Sequence, residues 1–196
     1  MSEKLGVYNR QESMNLFIPE EIHILGVGGV GTWVAYNAAL LGVPKIHIYD
    51  RDTLEYHNRN RLPYPAWSEG EEKTKLCSEA LRRFRSLKVI EHPFIEDPDD
   101  VFQMNGIIMN CIDYPMKVPI QQHADKKPIW TLGANETRYS ITNKIPKSTT
   151  WNISDVSSYT GICAPTVTMV AAHAMGLVTS GTEEKVSVSF DIRRIK

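Results

Sequence analysis

Two groups of residues in this chain have types and spacings that can do chemistry. The first is Gly26-Val27-Gly28-Gly29-Val30-Gly31, followed 19 residues after its last glycine by Asp50. Glycines in this pattern permit a tight turn and let the backbone approach a phosphate without a Cβ in the way. A helix starting there would point unpaired N–H groups and a partial positive charge at the same phosphate. Asp50 falls where a second strand should end, and a carboxylate at that position accepts hydrogen bonds from ribose hydroxyls. Residues 22–50 are therefore read as a unit that binds the phosphates and ribose of an adenine nucleotide. The loop alone does not choose between a nicotinamide dinucleotide and ATP.

The second group is Asp50-Arg51-Asp52, His57-Asn58-Arg59-Asn60-Arg61, and then Lys73 and Lys75. Hydride transfer has no evident need for so many cations, whereas reaction at a triphosphate moves negative charge onto phosphate oxygens. Arginine grips such oxygens in a fork and lysine neutralises them as a point charge. Taken singly, each of these charges reads as a solvated surface residue rather than a functional one. Asp113 closes the apolar run Gly106–Cys111, at the strand edge where open α/β sheets bind ligands. A carboxylate there can hold Mg²⁺ between phosphates, or cap the helix that follows.

The elements that must position these residues follow from periodicity. Strands are predicted at Ile22–Gly26, Lys45–Asp50, Lys88–Glu91, Gly106–Cys111 and Pro128–Leu132. Shorter strands are predicted at Arg138–Ile145 and Thr150–Ile153. Helices are predicted at Val30–Leu41, Glu71–Ser86, Met116–Asp125 and Thr166–Ser180. Val186–Ile192 alternates strictly between apolar and polar residues, as an antiparallel strand with one wet side does. The expected fold is α/β and Rossmann-like, a mainly parallel sheet with helices on both faces and antiparallel C-terminal strands. The 196 residues read as one domain, with no repeat or low-complexity linker.

Composition narrows the setting. A formal net charge of −1 gives no electrostatic case for nucleic acid or an anionic membrane. No apolar run reaches the roughly 18 residues that a membrane span needs, and MSEKLGVYNRQ lacks the apolar core of an export signal. Cys77, Cys111 and Cys163 are odd in number and widely spaced, against a disulfide framework or a four-cysteine zinc site. A cytoplasmic location is expected. The six histidines show no metal-ligand spacing along the chain.

The glycine loop together with Asp50-Arg51-Asp52-Thr53-Leu54-Glu55 and Asn58-Arg59-Asn60-Arg61 resembles the adenylating fold of ThiF/MoeB-type and ubiquitin-activating enzymes. That family carries G-x-G-G-x-G, then D-x-D-x-V/L-E, then N-x-x-R. Glu72-Lys73-Thr74-Lys75 resembles its next motif, with the second lysine facing the phosphates. Cys111-Ile112-Asp113 is similar to its magnesium-binding strand end, and Tyr8-Asn9-Arg10-Gln11 to its Y-x-R-Q. Gly161-Ile162-Cys163-Ala164-Pro165 resembles its G-x-x-x-P element. The resemblance implies ATP-dependent adenylation of the C-terminal carboxylate of a ubiquitin-like protein, a sulfur-carrier protein or a peptide, releasing pyrophosphate. It implies that Gly26, Gly28, Gly29, Gly31, Asp50, Asp52 and Asn58 bind the nucleotide, and that Arg61 and Lys75 act on phosphate charge. Asp113 would hold Mg²⁺, and Arg10 would act across a homodimer interface. Tyr114 and Lys117 stand where the family has asparagine and arginine, and the two C-x-x-C pairs of its zinc-containing members are absent. Structural zinc is therefore not expected in this compact form. Two other readings stay open: a degenerate module that binds a partner's tail, and a nicotinamide-dependent oxidoreductase.

Overall fold

The computed structural model describes residues 8–84, 87–113, 115–145 and 162–194. Its strands are β1 (Glu21–Leu25), β2 (Lys45–Tyr49), β3 (Lys88–His92), β4 (Ile107–Asn110), β5 (Ile129–Asn135), β6 (Arg138–Thr142) and β7 (Ser187–Asp191). The helices are α1 (Asn9–Glu12), α2 (Gly29–Leu41), α3 (Lys73–Phe84), α4 (Lys117–Gln121) and α5 (Ala164–Thr179). All seven strands form one sheet in the order β3-β2-β1-β4-β5-β6-β7. The first five run parallel, and β6 and β7 are antiparallel additions. This is the expected Rossmann-like α/β fold. The chain reverses its direction of growth across the sheet between β1 and β4, the place where such sheets open a ligand crevice.

Side-chain alternation divides the core into two layers. Ile22, Ile24, Ile46 and Ile48 point to the face covered by α2, α3 and α5, where Val34, Ala38, Leu81, Val170 and Ala174 are buried with them. Alanines at the α2 and α5 contact let the two helices approach closely. On the other face, Leu25, Tyr49, Ile108 and Ile129 pack against Val101, Met104, Ile120 and Ala124. That layer comes from α4 and from a 3₁₀ turn over Pro98–Gln103, which the periodicity did not predict. The turn is too short to show a period. It is built by Asp97, whose side chain accepts from the Asp99 N–H, with Pro98 in the first turn.

Some boundaries move. The helix predicted over Met116–Asp125 shortens to α4, and the one predicted from Glu71 begins at Lys73. The strand expected at Thr150–Ile153 lies outside the described residues. Among the described residues no helix is long and apolar enough to cross a membrane. Strand pairing adds what spacing along the chain does not give: His23, His47 and His92 come together on one face of β1, β2 and β3 beside Glu21. Burial pushes the His47 imidazole pKa down to about 4.

The turn from β1 into α2 depends on two glycines. Gly26 has a φ of +83°, and a Cβ on Gly31 would stand 1.8 Å from the Gly26 carbonyl oxygen. Helix and strand therefore touch backbone to backbone at this point. Gly31→Ala should destabilise the fold by about 3 kcal/mol, the upper end for overpacking, lowering Tm by roughly 6–12 °C. Gly176→Ala, on an exposed turn of α5 with no atom within 4 Å of the added carbon, should instead stabilise by about 0.5–1 kcal/mol. Thermal denaturation of both variants checks the pair.

Candidate active site

The C-terminal ends of β1, β2, β4 and β5 surround a cleft of about 540 Å³. From β1 come Gly28 and Gly29, from β2 Asp50 and Asp52, and from β4 Asp113. The segment after β2 adds Asn58 and Arg61, while the helix starts add Lys73 and Lys117. Leu132, Gly133 and Ala134 of β5 form a wall.

Asp50 joins the two loops that form the floor. Its Oδ2 accepts from the Val27 N–H at 2.8 Å and its Oδ1 from the Asp52 N–H at 2.9 Å. Burial raises the carboxyl pKa, while the Asp52 N–H, the Lys73 charge and the Val27 N–H pull it back. Each oxygen keeps a further lone pair that a ribose hydroxyl can use. A Cβ on Gly28 would meet no atom within 4 Å. The glycine thus leaves an open cradle at the N-terminus of α2, where an anion is favoured. A Cβ on Gly29 would instead stand 3.0 Å from Arg61 Cδ, so the arginine lies over the loop.

Arg61 is fixed from several sides. Its Nη1 donates to the His57 carbonyl at 2.8 Å and to Asn60 Oδ1 at 2.9 Å. The Trp33 indole N–H donates to the Arg61 carbonyl at 3.0 Å. Burial lowers the guanidinium pKa and the Asp113 charge raises it, so the group keeps its positive charge. Asn58 is buried, and its Oδ1 accepts from the Glu55 N–H at 3.2 Å, holding the turn that precedes Arg61.

The lysine assignment changes. Lys73 lines the cleft, largely buried, with Nζ 3.0 Å from Asp52 Oδ2 and its backbone N–H donating to the Asp52 carbonyl. Lys75 does not line it; its Nζ pairs with Glu71 Oε2 at 2.8 Å on the outer surface. Residues two apart on a helix face nearly opposite ways, so once α3 begins at Lys73 only one of the two lysines can face the cleft.

Asp113 is 99% exposed at the cleft mouth, with Lys117 Nζ 3.4 Å from its Oδ1. It does not cap α4, whose N-cap is Met116 without a side-chain bond. Arg51 also lines the cleft with its guanidinium over the Phe94 ring, 4.4 Å from the centroid. Phe94 belongs to a loop with no sequence pattern, so nothing marked it beforehand. Arg10 is exposed on α1, which is held at the far end of α2 by a bond from Gln11 Nε2 to the Leu41 carbonyl. It is therefore not brought to the cleft of its own chain.

Burial pushes the Cys77 and Cys111 thiols up to about 12, out of reach of thiolate chemistry at neutral pH. Cys163 is half-buried at the N-cap of α5, its sulfur 2.9 Å from Thr166 Oγ1 and 3.5 Å from the Glu136 carbonyl oxygen. Gly161 of the G-x-x-x-P element and Tyr114 lie outside the described residues.

Comparison with known proteins bears on the family and the fold. Ubiquitin-like modifier-activating enzyme 5 of Dictyostelium discoideum is 32% identical over 79 residues, covering 40% of this chain and 20% of that protein. The Rattus norvegicus enzyme of the same name is 24% identical over 112 residues, or 57% of this chain and 24% of that one. The match thus spans less than a quarter of either relative. Among solved structures, E. coli MccB with ATP superposes with a TM-score of 0.74 at 17% identity, covering 97% of this chain and 72% of that chain. E. coli tRNA N6-threonylcarbamoyladenosine dehydratase, TcdA, gives 0.64 at 19% identity, covering 80% and 84%. These two likenesses establish the shared fold. The ThiF family model matches residues 11–187, and the chain belongs to the ThiF family.

Proposed function

We propose that the protein adenylates a C-terminal carboxylate with ATP and releases pyrophosphate, acting as a single adenylation domain over residues 1–196. The observation that carries this reading is the convergence of Arg61, Lys73 and Lys117 with Asp113 around the cradle at Gly28. Three cations and a carboxylate suit the charge that develops in phosphoryl chemistry; hydride transfer offers them no task. The relatives named modifier-activating enzymes and the MccB structures with ATP and with N-formylated MccA support the same class.

In this scheme Asp50 binds the ribose and the α2 N-terminus binds phosphate oxygens. An oxygen of the substrate carboxylate attacks the α-phosphorus as the bond to the β-phosphate oxygen breaks. Pyrophosphate leaves with that electron pair, and Arg61, Lys73 and Lys117 offset its charge. Asp113 suits Mg²⁺ because it is a hard oxygen donor at the cleft mouth, and that ion commonly uses one or two carboxylates plus phosphates and water. When bound it would neutralise charge between phosphate groups. The acceptor is a ubiquitin-like protein, a sulfur-carrier protein or a peptide presenting its C-terminus, and the setting is cytoplasmic. Arg10 would act in the site of a second copy, making the working unit a homodimer.

Mg²⁺-dependent exchange of pyrophosphate into ATP, in the presence of carboxyl-ended candidate acceptors, tests the reading. Asp113→Ala should lower exchange by about 100-fold or more, in line with losing a transition-state charge contact. ATP binding with no exchange for any acceptor would reject adenylation and favour a partner-binding module. Intact-mass analysis of each acceptor after incubation with MgATP identifies the substrate. Lys73→Ala should also cut the exchange rate by about 100-fold, while Lys75→Ala stays within about twofold, as expected for a lost surface ion pair. Equal losses in the two lysine variants would reject the assignment of Lys73.

A further inference from the structure

A second cluster of ligand-type side chains lies on the same strands as the cleft. The β1–β2 register sets Glu21 opposite Lys45 and His23 opposite His47, and the β2–β3 register sets Tyr49 opposite His92. Glu21 Oε1 is 3.1 Å from His23 Nε2 and 3.0 Å from His47 Nε2. The ligand atoms of these three residues all lie within 4.8 Å of one another. Both imidazoles are buried, with stacked rings whose centroids are 4.3 Å apart.

The remaining ring nitrogens are already engaged. His23 Nδ1 is 2.9 Å from Tyr49 Oη, and His47 Nδ1 is 2.7 Å from His92 Nε2. His47 Nε2 is fully buried and makes no well-directed hydrogen bond, although Glu21 Oε1 lies beside it. A pure hydrogen-bond network therefore leaves this nitrogen poorly satisfied. Metal-ligating histidines characteristically present one nitrogen to the ion and hold the other through an outer partner. A tetrahedral ion about 2.0–2.2 Å from each donor needs donors roughly 3.3–3.6 Å apart. The observed separations from Glu21 are a few tenths of an ångström short of that, a gap that small side-chain shifts close.

We infer that Glu21, His23 and His47 form a site for a divalent transition-metal ion of the Zn²⁺ type, with Tyr49 and His92 orienting the two imidazoles. Two imidazoles and one carboxylate favour such ions over Mg²⁺. Three protein ligands leave a fourth position for water or another ligand. Lys45 Nζ sits 2.5 Å from Glu21 Oε2 at the partly exposed rim, so an ion must share the carboxylate with an ammonium. The site is separate from Asp113 and stands whether or not the adenylation proposal does, since its readout is metal binding.

The test is titration of the chelator-stripped full chain with CoCl₂ and ZnCl₂, followed by the visible spectrum of bound cobalt and by calorimetry. One ion per chain is expected, with a tetrahedral cobalt spectrum that excess MgCl₂ does not displace. Glu21→Gln and His47→Ala should each weaken binding by at least about tenfold, and His92→Ala by about 10–100-fold as an outer partner. Asp113→Ala should leave it unchanged. Lys45→Met, which leaves the buried cluster intact, should tighten it several-fold. No stoichiometric uptake overturns the inference, as does uptake undiminished in Glu21→Gln and His47→Ala. Where circular dichroism shows a cluster variant unfolded, Lys45→Met decides, and unchanged or weaker binding in it overturns the inference.

Discussion

The cleft depends on one bridging carboxylate. Asp50 receives N–H groups from Val27 on the β1 side and from Asp52 on its own side, so one side chain fixes the glycine loop against the end of β2. A buried carboxylate is tolerable only when its oxygens are satisfied, and here backbone donors supply the bonds. Without that clamp the loop would keep only the Gly26 N–H bond to the Tyr49 carbonyl at 2.8 Å, and the α2 N-terminus would be less firmly aimed. Gly31 places the loop by contact, and Asp50 holds it by hydrogen bonds.

The charges are arranged outward from that clamp. Lys73 pairs with Asp52 and lies deep, Arg61 is propped over the glycine loop, and Lys117 reaches Asp113 at the mouth. Within the protein each cation has an acidic or carbonyl partner, which keeps the cluster stable before any anion arrives. The exposed Lys117–Asp113 pair is the weakest of these links, since a solvent-facing ion pair contributes little. It can therefore open to a phosphate or a cation at small cost. The deeper pair at Lys73 serves to hold Asp52 and its loop in place as well as to carry charge.

The sheet and most of its helices were legible in the sequence because the central strands are short apolar runs punctuated by glycine or a charged residue, and the last strand alternates. The glycine loop, Asp50, Arg61 and Asp113 were legible for the same reason: their spacing is local, and their place at strand ends follows from the βαβ pattern. That Lys73 and not Lys75 lines the cleft was not legible, because it turns on where α3 begins, and two residues reverse the face presented. The Pro98–Gln103 turn and Phe94 left no periodic trace: the turn is built by its own Asp97 cap, and Phe94 lies under a guanidinium 43 residues earlier, that of Arg51. The histidine cluster was invisible for a stronger reason. Its members are 24 and 45 residues apart, and only the pairing of parallel strands makes them neighbours.

That pairing is also what links the two ends of the strands. The register that puts Leu25 opposite Tyr49 brings the Val27 N–H to Asp50, and the same register puts His23 opposite His47. A slip of one residue would turn every side chain of a strand to the other face. The isoleucines would leave the helix-covered layer, the imidazoles would enter it, and the Asp50 clamp would break. Burying His23 and His47, with Glu21 and His92 half-buried beside them, is costly compared with an all-apolar strand. In return, this register sets the four side chains within reach of one another. The cluster and the cleft are chemically unrelated, but both depend on the same alignment of β1 with β2.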